Sequence, residues 1–290
     1  MTDAVPSGQS PITDAIDHLV IDAGEQIDLA ESTYRRLGFH LTPRGRHSIG
    51  SVNHLAVFDG PYLELLGFEP GSPSARSDVK GFPAGLNGLV FQPLHPNEIY
   101  HQLLERGVDA LLPSDLSRPV ATESGERTAA FQVVRLAPGS SGFGRLYFCH
   151  HLTPELVWVP DRPSHANGAT RISRVRVIAE DIDTTQHPLQ EIAAEHLVQD
   201  SEAATMVYQV GGCKIEMMDD ARVPAYLVPI LPHAAGRSAY MAVLTFRVAD
   251  LGSAEAHLKA NGIATIATAD RVLVSAHEAL NVGIEFEAGS

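Results

Sequence analysis

The sequence contains few of the residues that mark several protein classes. Only two cysteines are present, Cys149 and Cys213, and both lie in hydrophobic runs, so we expect buried thiols in a reducing compartment and no disulfide framework. No apolar run reaches the length of a membrane span, and residues 1–12 lack the apolar core of a signal peptide. We therefore expect a cytoplasmic protein whose residues 1–12 are disordered.

Basic residues are also scarce, with 21 Lys and Arg against 35 Asp and Glu. Because no basic stripe is present, nucleic acid is not an expected partner, and like-sign repulsion argues against anionic membrane surfaces. The sequence has no nucleophile elbow and no glycine loop that would cradle phosphates, so it gives no support for a nucleotide cofactor. At 290 residues the chain is long enough for two domains.

What the sequence does contain is one order of elements, a strand, a helix and several strands, that recurs four times. The strands that open the four units are predicted at residues 15–21, 85–92, 172–178 and 240–248. Helices follow at residues 27–37, 97–106, 189–196 and 251–261, and three of them are ended by a glycine: Gly38, Gly107 and Gly262.

The closing strands carry the clearest internal likeness. They read Leu63-Glu64-Leu65, Val157-Trp158-Val159, Ile215-Glu216-Met217 and Ile284-Glu285-Phe286. One βαβββ unit cannot bury its own sheet face, so we expect units to pair around a cleft. The predicted fold is α+β, with four βαβββ modules forming two paired-module domains at residues 13–160 and 172–290, joined by a crossover at 161–171.

Two of these strands place an ionisable side chain in a mostly apolar face. Alternation along a strand puts His18 with Ile16 and Val20, places Asp17 on the opposite face, and puts Glu64 with its apolar neighbours in residues 62–66. A buried imidazole or carboxylate is costly without a partner, a metal or a substrate. Taken singly, each is also explained by a paired side chain at a sheet edge.

This layout resembles the vicinal oxygen chelate superfamily, and most closely its glyoxalase-like subgroup. The likeness covers nearly everything after about residue 13. It depends on the order and spacing of short segments: Ile16-Asp17-His18-Leu19-Val20, Leu37-Gly38-Phe39, Thr42-Pro43-Arg44-Gly45-Arg46-His47, Tyr62-Leu63-Glu64-Leu65-Leu66, His151-Leu152-Thr153-Pro154-Glu155-Leu156-Val157-Trp158 and His165-Ala166-Asn167-Gly168-Ala169.

The resemblance implies a divalent metal (Zn, Mn, Fe or Ni) bound by His18 and Glu64 in the cleft of the first pair. In the second unit, Gly88 and Trp158 stand where the other two ligands are expected. His151 is the candidate third ligand, or else it caps the turn that follows it. The C-terminal pair lacks the first-strand histidines and is expected to be mainly structural, with Arg174 or Arg176 pairing with Glu216.

Other side chains are candidates for contacts with substrate. Glu64 and Arg44 are the predicted catalytic residues, with Arg44 holding a substrate carboxylate or enolate, although a solvated basic loop explains Arg44 equally well. The substrate-binding candidates lie in strands and loops near the expected cleft: His47, Asn53, His54, Tyr62, Trp158 and His165.

Two functions fit these residues. The first is a metal-dependent enzyme, of lyase, isomerase or dioxygenase type, that acts on a small carbonyl, enol or diol through an enolate-like intermediate. The alternative is a metal-free protein of the bleomycin-resistance type that binds and sequesters a small molecule, and a scaffold that works through partner contacts is a third. A homodimer is expected by analogy only.

Overall fold

The computed structural model describes residues 10–71, 79, 82–160, 162–198 and 205–289. Residues 1–9 of the predicted disordered terminus lie outside the described residues, whereas Ile12 is buried in the core. None of the helices in the described ranges is both long and apolar enough to cross a membrane.

The N-terminal half contains eight strands and two helices among the residues described. They are β1 (Ala15–Gly24), α1 (Ile27–Arg36), β2 (Gly45–Arg46), β3 (Val52–Ala56), β4 (Tyr62–Gly67), β5 (Gly85–Gln92), α2 (Ile99–Glu105), β6 (Ser114–Thr122), β7 (Gly125–Arg135) and β8 (Arg145–His151).

The described part of the C-terminal half repeats this inventory. Its elements are β9 (Ala169–Ala179), α3 (Ile182–Ala193), β10 (Leu197–Val198), β11 (Met206–Val210), β12 (Cys213–Met218), β13 (Ala239–Val248), α4 (Leu251–Ala260), β14 (Thr265–Ala267), β15 (Arg271–Val274) and β16 (Gly283–Ala288).

Each half forms one eight-stranded mixed sheet, and the two sheets have the same topology. The strand orders are β2-β3-β4-β1-β5-β8-β7-β6 and β10-β11-β12-β9-β13-β16-β15-β14. In both sheets the opening strands of two modules pair antiparallel at the centre, and each pairs in parallel with the closing strand of its own module. The predicted α+β fold of four modules in two pairs is therefore confirmed.

A single hydrophobic core joins the helix-bearing sides of both sheets. Helix α1 buries Ile27, Ala30 and Tyr34, and the ring centroids of Phe39 and Phe246 from the opposite half lie 4.8 Å apart. Gly38 ends the helix with φ +93°, and a Cβ there would lie 2.6 Å from His257 Nε2. Glycine thus permits both the turn and the close approach of the second half.

The other face of the N-terminal sheet curls around an interior. The two edges of the sheet meet where the Ser48 amide donates to the Ser117 carbonyl at 2.8 Å. In the C-terminal half, the segment between β12 and β13 packs Leu227 and Ile230 onto the corresponding face. The N-terminal interior is therefore the face on which polar side chains can meet a ligand.

The predicted closing strand Val157-Trp158-Val159 is wrong, because this segment follows a 3-10 turn at Pro154–Leu156 and forms no strand. Pro154 lacks an amide hydrogen and opens that turn instead of joining the sheet. The closing strand of the second module is β8.

Candidate active site

A β-bulge in β1 determines the chemistry of the N-terminal interior. Ile16 pairs with Phe91 and His18 pairs with the adjacent Val90, so Asp17 is an extra residue on β1. Such a residue interrupts the alternation of side chains. The prediction that Asp17 lies on the face opposite His18 is wrong, because both side chains enter the same interior, where they are hydrogen-bonded to each other.

Asp17 is the acceptor of two histidines. His18 Nδ1 donates to Asp17 Oδ1 at 2.6 Å, and His151 Nε2 donates to the same oxygen at 3.0 Å. Burial opposes ionisation of this fully buried carboxyl, but the hydrogen bonds from His151 and His18 outweigh it and lower the pKa of Asp17 to about 2. An ionised carboxylate only accepts, so His18 carries its proton on Nδ1 and presents the lone pair of Nε2.

His18 Nε2 faces a phenol and a carboxylate. The Tyr147 hydroxyl donates to Nε2 at 3.1 Å, and Glu64 Oε2 lies 3.6 Å from it. The Tyr62 ring stacks on the imidazole with centroids 4.5 Å apart. The structure thus brings His18 and Glu64 together, as the alternation of both strands indicates.

Glu64 is held by the amide of β3. Asn53 Nδ2 donates to Glu64 Oε1 at 2.6 Å, and His47 Nε2 lies 3.9 Å from the same oxygen. His47 Nδ1 lies 2.9 Å from Ser51 Oγ. Asn53 and His47 therefore lie beside Glu64, where both were expected to meet a substrate.

The second module presents a different residue opposite Glu64. Glu64 pairs with Val20, two residues beyond His18, and Tyr147 pairs with Val90, two residues beyond Gly88. Tyr147, and not Trp158, therefore occupies the second closing-strand position. Trp158 instead lies with its ring centroid 4.7 Å from that of His151.

His18, Glu64, Asn53 and Tyr147 line a cavity that is partly open to solvent and has an inner volume of about 30 Å³. Arg118 of β6 lines it with 7% of its surface exposed, and burial lowers the pKa of this guanidinium without discharging it. The remaining lining is partly apolar and includes Leu55, Leu116, Phe131, Val133 and Cys149. Burial raises the pKa of the Cys149 thiol, so this cysteine is protonated at neutral pH.

Three predicted site residues lie elsewhere. Arg44 pairs with Asp28, Glu31 and Glu69 beside α1, and His54 lies 3.2 Å from Glu31, because this side chain of β3 faces the helix. His165 lies in the core between the halves, where its Nδ1 accepts from the His40 amide and its Nε2 donates to the Val57 carbonyl.

The donors do not complete the four-ligand metal centre implied by the resemblance. His18 Nε2 and Glu64 are spaced like neighbouring ligands, but Tyr147, a phenol, stands where the second carboxylate is expected. A side chain at Gly88 has no room, since a Cβ there would lie 2.7 Å from Val20 Cβ. His151 does not face His18 Nε2. Its Nε2 donates to Asp17 Oδ1, the same oxygen that accepts from His18 Nδ1.

Two curled sheets of paired βαβββ modules, with a polar site on the inner face of one, define a protein of the vicinal oxygen chelate superfamily. A family model described as "Glyoxalase-like domain" matches residues 16–193, and the chain belongs to that family. No curated protein gives a significant match.

Solved structures share the fold at low sequence identity. A hypothetical protein from Staphylococcus aureus is 10% identical with a TM-score of 0.64, covering 95% of this chain and 99% of its own. A variant of 4-hydroxymandelate synthase from Streptomyces coelicolor is 13% identical with a TM-score of 0.59, at 96% and 93% coverage. A xylose isomerase-like TIM barrel/4-hydroxyphenylpyruvate dioxygenase fusion protein is 13% identical with a TM-score of 0.61, at 97% and 50%.

Proposed function

We propose that this protein is an enzyme that moves a proton on a small carbonyl, enol or diol bound in the N-terminal cavity, with His18 as the general base. The observation that carries the proposal is the contact of 2.6 Å between Asp17 Oδ1 and His18 Nδ1, which keeps Nε2 unprotonated at the cavity wall. Nε2 accepts from the Tyr147 hydroxyl, and a bound substrate takes the place of that hydroxyl when His18 acts as a base. A base oriented by a buried carboxylate is a recurring catalytic arrangement.

The proton transfer balances without any other reactant. His18 Nε2 takes a proton from the carbon next to a carbonyl, the C–H electron pair moves to the carbonyl oxygen as an enolate, and the proton returns to the same carbon. In an α-hydroxy carbonyl the proton can instead return to the former carbonyl carbon, while the hydroxyl proton moves to the enolate oxygen and the hydroxyl carbon becomes the new carbonyl. Asp17 stabilises the imidazolium that forms between these steps. The Tyr147 hydroxyl and the Arg118 guanidinium, both in the cavity wall, supply a donor and a positive charge for the enolate oxygen.

The metal-dependent form of this hypothesis has weaker support. Two of the four ligand positions of the family carry donors, His18 and Glu64. The other two are occupied by Gly88, which has no side chain, and by Tyr147. The proposed reaction uses side chains of this chain alone.

A specific observation favours a second function, a small-molecule binding protein. Gly88 and Tyr147 stand where the family's metal ligands are expected, and Leu116, Phe131 and Val133 make part of the cavity wall apolar. Both features suit a site that retains a ligand without turnover. A homodimer and a cytoplasmic location stay predictions.

Hydrogen exchange at carbon separates the two functions. The protein is incubated in D₂O with hydroxyacetone, dihydroxyacetone or 2-oxobutyrate, and loss of the α-proton signal is followed by NMR. We expect exchange with at least one probe, slowed by about 10²-fold or more in His18→Asn. His150→Asn is the matched control, because His150 neighbours the cavity-lining Cys149 on β8 but is absent from the cavity wall.

Exchange that is equally fast in His18→Asn would show that His18 is not the base. Binding of a probe, seen as line broadening, without any exchange would favour the binding protein.

A further inference from the structure

A second cluster in the same interior has the composition of a metal site. The ligand atoms of Asp17, Cys149 and His151 all lie within 4.8 Å of one another. Tetrahedral zinc, with bonds of about 2.0–2.3 Å, separates its ligand atoms by about 3.4–3.8 Å, so only small side-chain movements are needed. In the described part of the chain, this is the one group of three or more His, Cys, Asp and Glu side chains that meets this spacing.

The cluster is held by two elements that the fold brings together. Cys149 and His151 are alternate residues of β8 and share its inner face, whereas Asp17 reaches them because of the bulge in β1. Asp17 and Cys149 are buried, with 0% and 4% of their surface exposed, and the side chain of His151 is 5% exposed. A site assembled this way excludes bulk water from most of its perimeter.

One buried atom of the cluster points to a ligand. Asp17 Oδ1 accepts from both histidines, but among the described residues no group donates to Asp17 Oδ2, which is fully buried. A carboxylate oxygen without a hydrogen-bond partner in a protein interior is costly. A cation bound to Oδ2 removes that cost.

The three donor types select the ion. One carboxylate oxygen, one thiolate and one imidazole match zinc, which binds O, S and N ligands, whereas calcium and magnesium prefer oxygen alone. Binding of the cation releases the Cys149 thiol proton to solvent, and the resulting thiolate and the Asp17 carboxylate neutralise a divalent charge, which suits a buried site. Three protein ligands leave one coordination position open.

We propose that Asp17, Cys149 and His151 bind a zinc-type divalent cation. The site is distinct from the His18 and Glu64 position of the superfamily, and it uses the face of Asp17 that His18 does not occupy. It does not depend on His18 acting as a base.

Cobalt(II) tests the proposal because its spectrum reports the ligands. The full chain is freed of metal with a chelator, dialysed and titrated with Co²⁺. We expect one equivalent to bind, with a near-ultraviolet thiolate-to-cobalt charge-transfer band and visible bands of tetrahedral cobalt, and zinc to displace it.

The variants assign the ligands. Cys149→Ser abolishes the charge-transfer band, whereas Cys213→Ser, which changes the other buried thiol, leaves it intact. His151→Gln weakens cobalt binding by about tenfold or more. Circular dichroism confirms that each variant is folded. His18→Ala retains the band, which separates this proposal from the proposed reaction, since that reaction requires His18.

Three results overturn the proposal: no cobalt bound by the wild-type chain, cobalt bound without a thiolate band, or a band that survives in folded Cys149→Ser. Cobalt lost in His18→Ala but retained in Cys149→Ser would move the metal to the superfamily position.

Discussion

Asp17 and His18 are neighbours in a strand, yet their side chains lie on one face, with Asp17 Oδ1 2.6 Å from His18 Nδ1. Regular alternation would point them in opposite directions. β1 has one extra residue relative to β5, and this bulge allows the two neighbouring side chains to share a face. The buried Asp17 carboxylate thereby receives two histidine donors. The proposed base and the proposed metal site both depend on this bulge.

The ionised Asp17 contributes stability that depends on pH. Its pKa lies at about 2 in the folded protein against 3.8 in the unfolded chain, so the contribution is complete above about pH 4 and is lost as the pH falls to about 2. The shift corresponds to about 2 kcal/mol. We expect Asp17→Asn to lower the free energy of unfolding by about that amount at pH 6, and by progressively less towards pH 2.5.

Urea unfolding across this range provides the measurement, and Asp115→Asn, at an exposed position, provides the control. A difference between wild type and Asp17→Asn that stays constant with pH would contradict the assignment.

His165 gives a second pH dependence in a separate window. Burial lowers the pKa of His165 from 6.5 to about 4, so the unfolded chain takes up the proton first as the pH falls. This contribution is complete above about pH 6.5 and declines by about 3 kcal/mol towards pH 4. In His165→Asn, whose amide can replace both hydrogen bonds, we expect a flatter stability profile between pH 6.5 and 4. An unchanged slope would mean that His165 is not buried in the neutral form.

Close packing at Gly88 predicts that the missing histidine cannot simply be restored. A Cβ at this position lies 2.7 Å from Val20 Cβ and 2.8 Å from Val20 Cγ2. We expect Gly88→Ala to destabilise the fold by about 1–3 kcal/mol, and Val20→Ala to relieve part of that loss in the double variant. Gly142→Ala, where no atom lies within 4 Å, is the control for thermal unfolding. Additive effects in the double variant would show that the contact with Val20 Cγ2, which Val20→Ala removes, does not contribute to the loss.

The charged side chains of the C-terminal sheet form ion pairs with one another. Arg176 is 3% exposed, with Nη1 2.5 Å from Glu285 Oε2 and Nε 3.0 Å from Glu216 Oε2, and Arg174 also pairs with Glu216. The predicted pairing with Glu216 is therefore present. Leu227 packs onto this face. That the C-terminal half is mainly structural stays a prediction.

Arg176→Met leaves the buried Glu285 short of its principal cation, so we expect a loss of about 3–5 kcal/mol in the free energy of unfolding. Lys259→Met breaks an exposed helical pair and should cost about 0.5 kcal/mol or less. The same two variants, examined by cobalt binding, should show no change at the N-terminal site. A small effect of Arg176→Met would show that the network adds little to stability.

Much of the fold could be predicted because its signals are local. Alternation and glycine stops located the opening strands and most helices, and the same alternation placed His18 near Glu64. Pro188 obscured the start of α3, which begins at Ile182 with Asp181 accepting from the Thr184 amide. Interior proline normally argues against a helix.

The rest of the site depends on register, which one strand alone does not reveal. The bulge at Asp17 is set by pairing with β5, and the role of Tyr147 follows only once β8 is known to close the second module. Arg118 lies in β6, a strand containing Pro119, and its signal was the alternation of Leu116, Arg118 and Val120 towards the interior.

Arg44 is a residue that the sequence placed in the site and the fold places outside it. Its loop position suggested a cleft, but the acidic residues of α1 and Glu69 lie closer and pair with it. On an acidic protein an arginine has several carboxylates as potential partners, and the fold determines which of them lie within reach of it.

The most direct test of the account is the tautomer of His18. In ¹⁵N-labelled protein, two-bond proton–nitrogen correlations, assigned with His18→Asn, distinguish which ring nitrogen carries the proton in the neutral imidazole. We expect the Nδ1–H form, with Nδ1 bonded to Asp17 and Nε2 unprotonated at the cavity wall. A neutral His18 protonated at Nε2 would contradict it, because no lone pair would then face the substrate.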